Sequence, residues 1–316
     1  MSMAYEGKTP GMEVSRGATE DLGDVFTDAA ARVSAAEGAY IRCLLERVGS
    51  GELGVYALSA RCRTTGAICY KVLDGDAELV FGHVVEGDSE AYFLEAVVRS
   101  LFDEEGVHTV RSNFNWPEPG GFILGARALG FAVTERMSMC RCPGLVEGNP
   151  PEGFELMAWQ DRHVGDVCRI MHEAQSPADR PVYPMFSRPE GVRGLMDSVL
   201  SGKHGRFLRE LSYVARADHV VGFLLSTLLS DGSILVLDVG VDKDFRRRGV
   251  GGAMLDRLIG DSYRNGYGLI VLAVTSSNYD AIRLYERKGF RVNGYFRQYV
   301  LSKLNSEYGV TVPGAY

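Results

Sequence analysis

The sequence predicts an α/β chain that carries two copies of one α+β unit in tandem. Three observations support this. Strand-like and helix-like periodicities alternate along the 316 residues, and the order of elements restarts after a break at Pro143-Gly144 and Gly148-Asn149-Pro150-Pro151. Matching landmarks also recur at a nearly constant offset. Gly106 and Gly266 end equivalent helices 160 residues apart, and Gly130-Phe131 returns as Gly289-Phe290 after 159. The length is comfortable for two domains.

Residues 1–13 are polar and expected to be a flexible N-terminus. A helix is signalled next, with Thr19 as cap, Glu20 and Asp21 at its positive end, and Leu22, Val25, Phe26 and Ala29 as its apolar stripe. A second helix is expected over 39–48, then a strand pair over 54–60 and 66–73 and a strand over 78–85. Helix 89–105 follows, with Phe93, Val97, Leu101 and Phe102 on its buried side, then strand 107–114, helix 121–129 and strand 131–140. These elements make a first domain over 14–145, and the Pro/Gly run 146–152 reads as a linker.

The second domain, expected over 153–304, opens with strand 154–157 and helices 161–174 and 190–200. Strands 209–217 and 220–229 pair around the turn Asp218-His219. The apolar run Ile234-Leu235-Val236-Leu237 is a further strand, followed by a helix from Val250 to Arg264 and a strand over 269–275. A short helix over 279–288 and a final strand or strand pair over 290–304 precede a tail at 305–316.

Composition narrows the function. A net charge of −7 and a pI near 5.5 argue against general nucleic-acid binding. No apolar run approaches the roughly 18–20 residues that cross a bilayer, and residues 1–11 lack the apolar core of a signal peptide. The six cysteines include no Cys-x-x-Cys pair, and Cys140-x-Cys142 falls short of a four-ligand zinc set. The expectation is a cytoplasmic protein with reduced cysteines, without a metal, a membrane or a nucleic-acid partner.

The most informative stretch is Asp238 to Gly252, where a strand leads through Arg246-Arg247-Arg248-Gly249 into a helix that carries Gly251 and Gly252 near its start. Glycines let a backbone approach a ligand closely, and a helix N-terminus offers free N–H groups and about half a positive charge. The stretch therefore reads as a cradle for pyrophosphate. It is neither the dinucleotide fingerprint Gly-x-Gly-x-x-Gly nor a Walker loop, since no Gly-Lys-Ser/Thr follows.

Two motifs, residues 237–251 and residues 278–290 (Asn278-Tyr279-Asp280-Ala281-Ile282-Arg283-Leu284-Tyr285-Glu286-Arg287-Lys288-Gly289-Phe290), resemble the acyl-CoA loop and the following helix of the GNAT superfamily of N-acetyltransferases. The likeness covers about residues 152–304. It implies two tandem GNAT folds, each a mixed, mostly antiparallel twisted sheet flanked by helices. The implied co-substrate is acetyl-CoA or another short acyl-CoA, and the reaction is direct acyl transfer to an amine.

The resemblance also assigns roles. Backbone groups of Val239 and Val241 would meet the pantetheine amides, with Val239 N–H polarising the thioester carbonyl. Arg246, Arg247, Arg248, Gly249, Val250, Gly251 and Gly252 would hold the pyrophosphate. Asn278 would contact the pantetheine arm, although a plain helix cap explains it equally. Tyr285 would be the general acid for the departing thiolate, with core packing as the alternative. Asp238 would be the general base, and its short side chain favours a water relay; capping a loop or holding an arginine are its alternatives.

The first half differs where the ligand would bind. A shift of 160 residues places Arg246 on Glu86, Arg248 on Asp88 and Gly249 on Ser89, so acid replaces the basic loop. A shift of 159 places Tyr285 on Ala126 and Asn278 on Pro119. The first half therefore reads as a GNAT-like domain that has lost acyl-CoA binding. For the acceptor, residues 175–187 and the last strands offer Asp179, Tyr183, Tyr295 and Tyr299. The amine itself stays open between a small molecule and a protein N-terminus or lysine, as does monomer against homodimer. A non-catalytic acyl-CoA sensor and a structural pseudoenzyme are the alternatives to an enzyme.

Overall fold

A computed structural model describes residues 12–17, 22–73, 75–85, 89–104 and 106–303. The chain forms two compact units, one of residues 1–133 with 297–316 and the other of residues 134–296.

Unit 1 runs β1 (Met12–Arg16), α1 (Leu22–Ala31), α2 (Ala35–Gly49), β2 (Gly54–Ala60), β3 (Arg63–Leu73), β4 (Asp76–Val84), α3 (Glu90–Asp103), β5 (Thr109–Ser112) and α4 (Gly120–Ala128). Its strands pair in the order β1-β2-β3-β4-β5, antiparallel except for parallel β4 and β5. Residues 299–302 at the end of the last strand of the chain complete the sheet by pairing antiparallel with β5. Helices α3 and α4 bury Phe93, Val97, Leu101 and Phe122 on one face. Helices α1 and α2 bury Val25, Phe26, Ile41 and Leu44 in a separate cluster with Val55, Ala67 and Phe81.

Unit 2 begins within β6 (Ala132–Arg141) and continues with β7 (Glu155–Ala158), α5 (Val164–Glu173), α6 (Pro189–Leu200), β8 (Arg206–Phe207) and β9 (Tyr213–Arg216). Then come β10 (Val220–Leu228), β11 (Ile234–Val241), α7 (Val250–Arg264), β12 (Ile270–Thr275), α8 (Tyr279–Arg287) and β13 (Arg291–Ser302), from which the chain re-enters unit 1 at residue 297. The sheet order is β6-β12-β11-β10-β9-β7, and β11–β12 is its parallel pair. Strand β10 is a nearly continuous buried apolar run because helices cover both its faces. Val221 and Leu224 pack with α7, while Val220, Phe223 and Leu225 pack with α5 and α6.

Several expectations change. Met12 and Glu13, placed in a flexible terminus, instead pair with Ala60 and Ser59. Helix α2 starts earlier than expected, at Ala35, because Ser34 and Glu37 form a reciprocal capping box. Strand β9 starts only at Tyr213, since residues 209–211 take a 3₁₀ turn. Strand β6, read with the first domain, lies in unit 2 from residue 134 because it pairs antiparallel with β12 from Arg136↔Thr275 to Arg141↔Ile270. Thr19, Glu20, Asp21 and the tail 305–316 lie outside the described residues. Among the described residues, no helix is long and apolar enough to cross a membrane, and no group of three or more His, Cys, Asp or Glu side chains could hold a metal ion.

Candidate active site

The site in unit 2 starts from a divergence of two strands. Strand β11 stays paired with β10 as far as Val241↔Gly222, but it pairs with β12 only at Ile234↔Ile270 and Leu235↔Val271. From Val236 onward the β12-facing edge of β11 therefore has no strand partner among the described residues. Val239 and Val241 lie on this open edge.

The basic loop closes one end of the opening. Asp242 Oδ1 accepts from Asp244 N–H at 3.2 Å, a 3₁₀ turn follows at Lys243–Phe245, and Arg247 and Gly249 sit at φ of 63° and 85°. Left-handed residues within such a turn gather successive N–H groups into an anion-binding concavity. Gly249 caps α7 without a side-chain hydrogen bond, so among the described residues the first-turn N–H groups of Val250, Gly251 and Gly252 have no N-cap side chain to accept from them.

The three arginines have separate tasks. Arg246 donates through Nε to Val241 O at 3.1 Å and through Nη2 to Ala174 O at 2.6 Å, which ties the loop to β11 and the end of α5. Arg248 donates to Asp244 O at 3.0 Å and lies over the Phe245 ring at 5.1 Å. Arg247 extends into solvent, 3.6 Å from Asp280.

Asp238 and Tyr285 belong to the same electrostatic cluster. Asp238 keeps some surface exposure, but its carboxyl is packed among protein atoms, and burial pushes its pKa up to about 7. A hydrogen bond from Val239 N–H to Oδ1 at 2.8 Å opposes that rise, the Asp179 charge adds to it, and the Arg136 charge opposes it. Tyr285, on α8, packs edge-on against Phe290 with ring centres 5.9 Å apart. Burial, followed by the charges of Asp238 and Asp179, holds its phenol well above the usual tyrosine range, with Arg136 opposing. The phenol is therefore a proton donor throughout neutral pH.

The other expected residues divide. Asn278 has both ends of its amide engaged: Oδ1 accepts from Ala281 N–H at 3.3 Å as the α8 cap, and Nδ2 donates to Asp179 Oδ2 at 3.1 Å. Asp179 also accepts from Thr275 Oγ1 at 2.5 Å, so it pins the 175–187 segment to the start of α8. Tyr183 accepts from Arg136 Nη1 at 2.9 Å and stacks on Phe186 at 5.1 Å. With His172, Glu173, Gln175, Arg180, Pro184 and Phe186 it lines a cavity of about 370 Å³.

Tyr295 is 71% exposed on β13. Tyr299 requires a correction. Instead of lining an acceptor groove it is 1% exposed in the core of unit 1, edge-on to Phe114 at 4.9 Å, because residues 299–302 pair with β5. Val239 N–H, expected to face a thioester carbonyl, is held by Asp238. Arg136 went unread because β6 precedes the Pro/Gly break, and nothing in its local sequence announces pairing with β12.

Unit 1 has a related divergence, filled by its own side chains. Strand β4 pairs with β5 only from Asp76↔Thr109 to Leu79↔Ser112. Past that point the Trp116 ring lies so close to Gly82 that a Cβ there would approach it to 2.4 Å. Trp116 packs edge-on against Phe114 at 4.7 Å and Phe122 at 5.0 Å. The acidic segment Glu86–Asp88 lies outside the described residues, and Ala126 is fully buried in α4.

Curated relatives resemble part of the chain. It is 35% identical over 82 residues to the [ribosomal protein bS18]-alanine N-acetyltransferase of Salmonella typhimurium, covering 26% of this chain and 55% of that protein. The Escherichia coli K12 protein of the same name is 34% identical over 80 residues, covering 25% and 53%. The chain thus spans about half the length of the curated relatives it matches. Among solved structures, a GCN5-related N-acetyltransferase from Sphaerobacter thermophilus superposes with a TM-score of 0.60 at 18% identity, covering 92% of this chain and 95% of that one. A tandem GNAT protein from the clavulanic acid biosynthesis pathway gives 0.52 at 15% identity, covering 92% and 98%. These structures share the fold. Residues 171–290, which hold the open strand, the glycine loop and the α8 motif, match the acetyltransferase (GNAT) family.

Proposed function

We propose that unit 2 is an N-acyltransferase that moves an acetyl or another short acyl group from CoA directly to an amine. The observation that carries this reading is the open edge of β11 running into the uncapped N-terminus of α7, with Asp238 and Tyr285 in one electrostatic cluster beside it. The residues present fit an acyl-CoA. Backbone N–H groups from Arg247 to Gly252 would take the pyrophosphate, supported by the positive end of α7, while Arg246 N–H donates to Lys243 O. The open edge at Val239 and Val241 would take the pantetheine amides. Asn278 supports the site as a cap and as an Asp179 partner.

The proton steps fall to two side chains. Asp238 accepts a proton from the ammonium form of the acceptor, directly or through water, and the neutral nitrogen attacks the thioester carbonyl. The new C–N bond forms as the C–S bond breaks; Tyr285 gives its phenolic proton to the departing thiolate, and the resulting phenolate takes up the second proton that the nitrogen sheds on becoming an amide. Holding both substrates together lowers the entropic part of the barrier. The acceptor is a primary amine, on a small molecule or at a protein N-terminus or lysine. The curated relatives are named for N-acetylation of an alanine of ribosomal protein bS18, which makes the amine of an alanine the first group to try.

One observation favours a non-catalytic acyl-CoA sensor: Val239 N–H, the natural donor to a thioester oxygen, is engaged by Asp238. Calorimetry with acetyl-CoA, followed by thiol release with an amine panel, tests both readings. The enzyme reading expects one-to-one binding and amine-dependent thiol. Binding without turnover leaves the sensor, and no binding rejects both.

A further inference from the structure

The acceptor side of unit 2 is braced by a residue outside the 171–290 family match. Arg136, on β6, is only 4% exposed and pairs across the strands with Thr275, whose hydroxyl donates to Asp179. Its guanidinium donates to Tyr183 Oη at 2.9 Å and to Ala273 O at 3.0 Å, and its central carbon lies 5.3 Å from the centre of the Tyr183 ring. Tyr183 is thus held by its hydroxyl and its ring together. The bracing continues outward: Tyr183 stacks on Phe186, Gln175 Nε2 donates to Tyr183 O at 3.2 Å, and His172 Nδ1 bonds Phe186 O at 2.8 Å. Four of these side chains, His172, Gln175, Tyr183 and Phe186, line the cavity of about 370 Å³.

The charges point the same way. A buried guanidinium is costly unless anions face it. The Arg136 charge acts on the Asp238 carboxyl from β11 and on the Tyr285 phenol from α8, and the Asp179 charge from the segment after α5 acts on both in the opposite sense. One cation thus shares a field with these two carboxylates.

We propose that Arg136 is a positioning residue of this site, fixing Tyr183 as a wall of the acceptor cavity and balancing the Asp238 and Asp179 carboxylates. The proposal rests on unit 2 being an acyltransferase. It also makes strand β6 part of the active unit, although β6 precedes the matched region.

The test compares Arg136→Met, Arg136→Lys and Tyr183→Phe in the full chain, with acetyl-CoA and the best amine of the panel as probes. Acetyl-CoA Kd is expected within about twofold of the parent in all three, since the Arg136 bonds to Tyr183 Oη and Ala273 O lie outside the cradle residues 246–252. Arg136→Met is expected to raise the acceptor KM at least about tenfold and to move the acid limb of the rate profile up by about one pH unit, the usual scale for losing a nearby opposite charge. Arg136→Lys should restore the acid limb but not KM, because an ammonium supplies the charge without the planar fork. Tyr183→Phe should raise KM alone, and adding it to Arg136→Met should raise KM no further.

A readout that needs no acceptor accompanies these. The infrared carboxyl band of Asp238, identified by its loss in Asp238→Asn, should titrate about one unit higher in Arg136→Met and return in Arg136→Lys. A folded Arg136→Met with parental KM, acid limb and carboxyl titration overturns the proposal. If that variant does not fold, parental KM values in both Arg136→Lys and Tyr183→Phe overturn it. Absence of amine-dependent turnover in the parent protein counts instead against the acyltransferase reading, and the infrared titration then decides the Arg136 proposal alone.

Discussion

Asn278 and Asp179 are joined side chain to side chain, with Nδ2 donating to Oδ2 at 3.1 Å across 99 positions of sequence. Thr275 adds a second hydrogen bond to the same carboxylate. The contact ties the segment after α5 to the helix that carries Tyr285, and in the proposed reaction it would align the two substrates. Replacing Asp179 by Ala leaves two donors without their partner and should cost about 1–3 kcal/mol of stability. Thermal melts should show that loss, and kinetics should show a raised acceptor KM with acetyl-CoA affinity unchanged.

Asp238, as the proposed general base, carries its own pH signature. With Asp238 at a pKa of about 7, the rate should climb through neutrality as the carboxyl ionises. Asp238→Asn should lower kcat by roughly 10²–10⁴-fold and remove that limb. The stability effect has the opposite sense. A carboxyl whose folded pKa lies above its unfolded value of about 3.9 favours the fold below the unfolded pKa, and that contribution is lost as pH rises toward 7. Asp238→Asn should therefore melt close to the parent at pH 4 and above it at pH 8.

The proposed general acid, Tyr285, is separable from binding. Tyr285→Phe keeps the ring on Phe290 and removes only the phenolic proton. It should bind acetyl-CoA normally and lose roughly 10²-fold or more in kcat. Full activity in this variant would assign Tyr285 to packing.

The proposed phosphate cradle is best probed at Gly251. Gly249 sits at φ 85°, so any side chain there strains the backbone as well as the site. A Cβ at Gly251 would meet Leu284 and Val241 at 3.5 and 3.6 Å, ordinary contact distances. Gly251→Glu places a carboxylate at the positive end of α7, which the helix tolerates and a phosphate does not. Calorimetry should show acetyl-CoA affinity down more than about 100-fold with the melting temperature preserved, about 2.7 kcal/mol of binding free energy.

Unit 1 should bind no acyl-CoA, so the stoichiometry should be one per chain. Trp116→Ala should cost about 3–5 kcal/mol in unit 1 and leave acetyl-CoA affinity unchanged. A second binding event would show that the aromatic filling is not what closes that opening.

Much of this was legible in the sequence where the signal is local. The apolar stripe of α7, the glycines before it and the Asn278 cap all lie within a few residues of the features they create. Long-range pairing was not legible. Arg136 and Tyr299 lie on strands whose partners, β12 and β5, are distant in sequence, and alternation alone does not name a strand's neighbour. Strand β1 has the polar sequence MEVSR, and it is a strand because β2 offers it an edge. The filling of unit 1 by Trp116 was hidden as well, since a lone tryptophan does not announce what it covers.

The decisive measurement is thiol release from acetyl-CoA with a panel of primary amines between pH 6 and 9, for the parent and Asp238→Asn. Release should depend on the amine, rise through about pH 7 in the parent and be nearly absent in the variant. Tight acetyl-CoA binding with no amine-dependent release at any of these pH values, or a variant with the parental profile, would contradict the proposed mechanism.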